Sequence, residues 1–231
     1  RGNNMILQQN AEANLWGWDK PGTEVNVTAS WSSQKWTAKT DKDGKWQVKV
    51  QTPKASYTPL SITFDDGEPV TLSNILAGEV WVCAGQSNME MPVKGFGNCP
   101  VEGYNKAVVE ANQYKGIHYV KIPSVMSNKP LDDASCEWKE ISPETVGEAS
   151  ATGYFFAQVV NKALDIPVGL VMANKGGTRV ESWLDRDYLK KNTKEETDSA
   201  KIVKSKKFKW DFHYPLLWGN GTFHPILNYT V

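Results

Sequence analysis

Glu79-Val80-Trp81-Val82-Cys83-Ala84-Gly85 is the stretch that decides how this chain folds. A short apolar run closed by a glycine reads as a buried strand ending in a loop. The same device recurs downstream, where Pro167-Val168-Gly169-Leu170-Val171-Met172-Ala173 is followed by Gly176-Gly177. Between the two, residues 105–113 read as a helix and 117–122 as a strand. Ala151–Leu164 reads as a second helix with an apolar stripe at Tyr154, Phe155, Val159 and Ala163. Ser142-Pro143-Glu144 stands upstream of it as a helix-start signal. Strands alternating with helices predict a parallel sheet with crossover helices. Residues 184–209 are polar and Lys-rich and read as exposed helix.

Upstream of this pattern the periodicity changes. Val25-Asn26-Val27-Thr28-Ala29 and Trp46-Gln47-Val48-Lys49-Val50 alternate apolar and polar residues, the signature of half-buried strands. Lys20-Pro21-Gly22, Asp41-Lys42-Asp43-Gly44 and Asp65-Asp66-Gly67 punctuate them as turns. Short strands at this spacing predict an antiparallel β sandwich over residues 1–76, followed by an α/β domain over 77–231. Asp65 and Asp66 are adjacent carboxylates, but beside Gly67 they read as a turn rather than an acid–base pair.

Composition bounds the function. The 231 residues carry 26 Lys+Arg against 26 Asp+Glu, so no basic excess is available to neutralise nucleic-acid phosphates. No apolar run approaches the roughly 18–20 residues that span a bilayer, and a soluble globular protein is expected. Ten Trp outnumber eight Tyr and seven Phe. Such rings serve a β core or stack on sugars, and the sequence leaves both uses open.

The three cysteines, Cys83, Cys99 and Cys136, have no metal-site spacing. They allow at most one bridge, Cys99 to Cys136, and Cys83 reads as a small core residue. His118, His213 and His224 are scattered, without the paired spacing of a metal site. The chain begins Arg1-Gly2-Asn3, without Met or a signal peptide, which fits a processed product.

Two predicted strand ends carry residues suited to chemistry, and open parallel sheets bind ligands at such ends. Gly85-Gln86-Ser87-Asn88 follows the first strand. A serine on a sharp strand-to-loop turn presents its Oγ, with backbone N–H groups nearby to hold an oxyanion. Met89 replaces the second glycine of the ordinary hydrolase elbow, and Gly-x-Ser by itself is equally a plain turn. Gly176-Gly177-Thr178 follows the second strand, where paired glycines allow close backbone approach to a ligand or simply a tight turn. The two together favour one shared site.

Gly78-Glu79-Val80-Trp81-Val82-Cys83-Ala84-Gly85-Gln86-Ser87-Asn88-Met89-Glu90-Met91-Pro92 resembles the first block of the sialate O-acetylesterases, a branch of the SGNH hydrolases. Ala151-Thr152-Gly153-Tyr154-Phe155-Phe156-Ala157 is similar to the family's mid-domain helix. The Gly176-Gly177-Thr178 and Glu181-Ser182-Trp183 segments resemble its Gly-Gly-Thr block. Asn4-Met5-Ile6-Leu7-Gln8-Gln9 and Trp16-Gly17-Trp18 resemble the start of its N-terminal β domain.

The resemblance implies a flavodoxin-like SGNH domain after the β sandwich, and removal of O-acetyl groups from sugars without metal or organic cofactor. Ser87 is then the nucleophile, forming an acetyl-enzyme that water cleaves. The N–H groups of Ser87 and of Gly176 or Gly177 hold the oxyanion, with Gly177 preferred. Gln86, Asn88 and Glu181 brace the loop or bind substrate, and Trp183 is a sugar platform or core. Two family blocks are missing: Gln-Gly-Glu, and the Asp-x-x-His that supplies the base. The α/β domain is therefore expected to be incomplete at its C-terminus, and the remaining C-terminal polypeptide is an expected partner. The expected substrate is an O-acetylated sugar, foremost 9-O-acetylated sialic acid. Acetylxylan or another polysaccharide is the alternative substrate, and non-catalytic carbohydrate binding the alternative function. The family's habit predicts a secreted or periplasmic protein, lysosomal if eukaryotic.

Overall fold

The structure, a computed structural model, describes residues 2–204 and 214–231. Strands β1 (Ile6–Gln8), β2 (Glu12–Trp18), β3 (Glu24–Ala29), β4 (Ser32–Lys39), β5 (Lys45–Gln51) and β6 (Ser56–Asp65) lead into the long β7 (Val70–Gly85). Helices α1 (Ser87–Glu90) and α2 (Tyr104–Glu110) follow, then β8 (Ile117–Lys121), β9 (Trp138–Glu140), α3 (Ala151–Leu164), β10 (Val168–Asn174), α4 (Arg186–Asn192) and α5 (Ser199–Lys204). One mixed sheet runs β4-β3-β6-β7-β10-β8-β9, with β1 parallel to β7, while β2 and β5 form a separate antiparallel pair.

The parallel part of this sheet and its helices agree with an SGNH-like α/β domain. The change of periodicity at residue 76 falls inside β7, so it marks a change of partner along one strand. Residues 70–77 pair antiparallel with β6, and 79–85 pair parallel with β10. At the crossing, β1 lies against β7 so closely that Gln9 N–H donates to Gly78 O at 2.8 Å. On the other side, a Cβ at Gly78 would lie 2.1 Å from Pro167 O, so only glycine fits there.

β10 is buried along its whole length, as its unbroken apolar run predicts. Its alternation assigns the two faces. Val168, Leu170 and Met172 pack with Tyr154 and Ala157 of α3. Val171 and Ala173 pack with Val120, Ile122, Trp138 and the core of the N-terminal strands. The helix-start signal at Ser142 does not begin α3. Ser142 and Thr145 exchange hydrogen bonds in a local turn, and Ser150 caps the helix by accepting from Gly153 N–H at 3.1 Å. The expected stripe is also out of phase. Ala151, Gly153, Tyr154 and Ala157 face the sheet, while Val159 and Ala163 are exposed. Small residues allow the helix to approach, and a Cβ at Gly153 would touch Cys83 Sγ at 3.0 Å.

The Lys-rich region is not one exposed helix. α4 and α5 are two short helices anchored by Leu189 and Ile202, which cluster with Leu216 and Leu217. Residues 205–209 of that predicted helix, and His213, lie outside the described residues. Cys83 is buried, while Cys99 and Cys136 are exposed, and all three are free, so the allowed bridge is not formed. Trp36, Trp46, Trp138 and Trp218 are core residues.

Glu79 N–H donates to Pro167 O and Lys175 N–H to Gly85 O, both at 3.0 Å. Odd-numbered residues of this half-strand therefore bond toward β10, and the peptide groups of Val82 and Ala84 point the other way. Gln8 Oε1 accepts from Val80 N–H at 2.9 Å, but beyond it no described strand pairs with that edge. Trp81 (44 % exposed), Val82 (38 %) and Phe156 (41 %) lie uncovered beside it, with the Trp81 and Phe156 rings edge to face.

His118 ties the layers together. Its fully buried ring meets Asn4 O through Nδ1 at 2.5 Å and Lys115 O through Nε2 at 3.1 Å. Neutral imidazole can donate to only one of these carbonyls. Burial pushes its pKa below the usual imidazole value, against the pull of the two carbonyls and of Glu140, 3.7 Å away. The folded state thus resists protonation more than the unfolded chain. His118 contributes full stability above about pH 6.5 and loses it as the pH falls toward the lower folded pKa. The melting temperature is expected to drop between about pH 7.5 and 5.5, and His118→Gln should flatten that drop. An unchanged slope in the variant would contradict the assignment.

Candidate active site

Parallel pairing in the register Met172↔Cys83, Ala173↔Ala84, Asn174↔Gly85 brings the two candidate loops to the same end of neighbouring strands. Gly85, at φ +150°, turns the chain out of β7 in a conformation that side chains disfavour. Ser87 then opens α1, where Met89 and Glu90 N–H both donate to Gln86 O while the Ser87 N–H precedes any intrahelical acceptor. Ser87 is exposed, and among the described residues neither its Oγ nor its N–H has a protein partner.

The glycine turn lies directly against it. A Cβ placed on Gly176 would be 3.5 Å from both Cα and Cβ of Ser87. The two glycines are not equivalent. Gly176 N–H donates to Glu90 Oε2 at 2.5 Å. Gly177, at φ +78°, keeps its N–H without a protein acceptor among the described residues.

The remaining candidates brace this arrangement. Gln86 Nε2 donates to Thr178 O at 3.2 Å, linking the two loops. Thr178 Oγ1 donates to Lys175 O at 2.8 Å and accepts from Trp183 Nε1 at 2.9 Å. Trp183 is half-buried, with Trp218 stacked on it at a ring separation of 6.2 Å. Glu181 pairs with Arg179 at 3.1 Å, and that guanidinium also reaches Glu195. Hydrogen bonding to Arg179 holds the Glu181 carboxyl below the usual range. Asn88 is exposed, and its carbonyl accepts from Thr152 Oγ1 at 2.9 Å, fastening α1 to α3.

Three contributors were not singled out by the sequence. Asn174, almost fully buried, donates from Nδ2 to Cys83 O at 3.3 Å and Met89 O at 3.4 Å, holding α1 over the strand end. Glu90 and Arg179 are the others. Each is charged and close in sequence to a glycine loop, which is the signal that was available. Neither described histidine reaches Ser87. His118 pairs with Gly169 near the start of β10, the far end of the sheet from Gly85. His224 Nδ1–H donates to Leu131 O at 2.7 Å, in a hollow lined by Trp16, Trp18, Lys45 and Asp132. No group of acidic, His and Cys side chains able to hold a metal occurs among the described residues. No described helix is long and apolar enough to cross a membrane.

Comparison with known proteins identifies the family. The family model described as "Carbohydrate esterase, sialic acid-specific acetylesterase" matches residues 77–211, from the middle of β7 past the glycine turn. The sialate O-acetylesterase of Mus musculus is 25 % identical over 273 residues, covering 99 % of this chain and 49 % of that protein. That of Homo sapiens is 26 % identical over 255 residues, covering 99 % and 45 %. A carbohydrate acetylesterase from Xanthomonas citri superposes with a TM-score of 0.81 at 27 % identity, over 100 % of this chain and 48 % of that one. The chain thus spans about half the length of the relatives it matches. With the serine block and the glycine block both inside the matched region, the chain belongs to the carbohydrate esterase family of sialic acid-specific acetylesterases.

Proposed function

We propose that this polypeptide carries the nucleophile half of an esterase that removes O-acetyl groups from sugars. The single observation behind the reading is the placement of Ser87, without a partner among the described residues, against Gly176-Gly177 at the carboxyl ends of β7 and β10. Ser87 Oγ bonds to the acetyl carbonyl carbon while its proton passes to a base. The tetrahedral oxyanion is received by the N–H groups of Ser87 and Gly177, because Gly176 N–H is already donated to Glu90. Collapse breaks the bond to the sugar oxygen, which leaves with a proton. Water then cleaves the acetyl-serine, releasing acetate and restoring the hydroxyl. Removing one such N–H donor typically costs about 3–4 kcal/mol of transition-state stabilisation.

The substrate reading is 9-O-acetylated sialic acid, supported by the family description and by relatives named sialate O-acetylesterases. The base comes from polypeptide outside residues 1–231. Two observations support this: His118 and His224 are bound elsewhere, and the β7 edge beside Ser87 is apolar and has no neighbour among the described strands. An unpaired edge of this kind is a template for a further strand. Non-catalytic carbohydrate binding is the competing reading, favoured by the lack of a described imidazole at the serine.

Three outcomes are expected. In the polypeptide extended to its relatives' length, Ser87→Ala abolishes acetate release by several orders of magnitude while circular dichroism is unchanged. Residual turnover above about a hundredth of wild type would refute the nucleophile. Acetate is released faster from 9-O-acetylated sialic acid than from acetylxylan, and the reverse order would move the substrate to polysaccharide. Residues 1–231 alone show no more hydrolysis than their Ser87→Ala control, and adding the downstream piece restores it. Ser87-dependent turnover by residues 1–231 would instead direct attention to His213.

A further inference from the structure

We propose that Glu90 is a positioning residue whose carboxylate fixes the Gly176-Gly177 turn against Ser87, so that Gly177 N–H is the one facing the oxyanion. The inference rests on the esterase reading above and adds a residue to it.

Glu90 closes the single turn of α1 that Ser87 opens, and residues three apart lie on one helix face. Its side chain is 17 % exposed and reaches across to the other loop, where Oε2 accepts from Gly176 N–H at 2.5 Å and Oε1 lies 3.4 Å from Lys175 Nζ. The turn has other anchors, but they hold its ends. Lys175 N–H bonds Gly85 O at 3.0 Å, while Thr178 is held by Gln86 and Trp183. Among the described residues, the N–H groups of the two glycines have one protein acceptor between them, and it is Glu90.

Glycine is the residue least able to hold its own conformation, and here two stand in succession beside the nucleophile. A carboxylate acceptor suits this role because charge-assisted hydrogen bonds are roughly twice as strong as neutral ones. The fit is close: a Cβ at Gly176 would meet Glu90 Oε2 at 2.8 Å and Ser87 Cβ at 3.5 Å. Glu90 thus sits behind the turn, on the side of Gly176, and leaves the Gly177 N–H for substrate. An oxyanion donor displaced by about 1 Å costs on the order of a hundredfold in rate, which is the scale on which the clamp acts.

The test compares Glu90→Ala and Glu90→Gln with wild type by two readouts. The first is the Gly176 amide resonance in residues 1–231. In wild type it lies far downfield and exchanges slowly. In Glu90→Ala it moves upfield and exchanges at least about tenfold faster, with β3 and β4 amides unmoved as proof of folding. Glu90→Gln, which retains an acceptor oxygen, lies between. The second is acetyl-ester hydrolysis by the length of polypeptide that turns over. In Glu90→Ala kcat falls about ten- to a hundredfold at nearly constant KM, with partial recovery in Glu90→Gln. A Gly176 amide that does not move overturns the proposal, and so does one that moves while kcat holds. A wild type without turnover at any length fails the esterase reading instead, and the amide signal distinguishes the two failures.

Discussion

The structure depends on the parallel hydrogen bonding of β7 to β10. Its register, from Glu79↔Val168 to Gly85↔Asn174, fixes which residues leave the sheet side by side. A slip of one residue would exchange the faces of β10, turning Val171 and Ala173 toward α3 and Leu170 and Met172 toward the N-terminal strands. It would also separate Ser87 from the glycine turn. Packing and chemistry are therefore specified by one set of backbone bonds, and Asn174 reinforces them where they end.

That pairing supports one side of β7 only. Over residues 70–78 the strand has β6 and β1 as neighbours, whereas over 79–85 β10 is its one neighbour among the described strands. The serine consequently stands at a boundary between a finished half-site and an open edge. On the finished side are the glycine turn, Glu90, Gln86 and Thr178, all tied by hydrogen bonds. On the open side are the outward peptide groups of Val82 and Ala84 and the uncovered rings of Trp81 and Phe156. On the proposed esterase reading the labour is divided here: Ser87 and the Gly177 N–H on this polypeptide, and the base on further chain, since no described imidazole lies within reach of the serine.

The parts of this arrangement legible in the sequence are those governed by local rules. β10 was readable because Val168 to Ala173 form an unbroken apolar run, with Pro167 just before it and the glycine pair shortly after. α3 was readable in extent but not in phase, because Gly153 and Ala157 carry little hydrophobic signal yet are buried against the sheet. The continuity of β7 was hidden, since a strand that changes partners also changes its alternation. β9, of three residues, is too short to show a period, and it forms by pairing with β8. Ser87 and the glycine pair stood out through motif spacing. Glu90 did not, because its partner lies 86 residues away, and a charge close to a glycine loop does not by itself specify that contact.

The claim that this register sets Ser87 against the glycine turn can be measured without any catalysis. The Gly176 position would place a Cβ 3.5 Å from that of Ser87, within the roughly 3.5–4.5 Å that a disulfide requires. The pair Ser87→Cys with Gly176→Cys is therefore predicted to oxidise to a single cross-link. Peptide mapping should join residues 87 and 176 and leave the free Cys83, Cys99 and Cys136 unpaired. Two engineered thiols that stay reduced under mild oxidation, or that pair only with the native cysteines, would contradict the register and the site built on it.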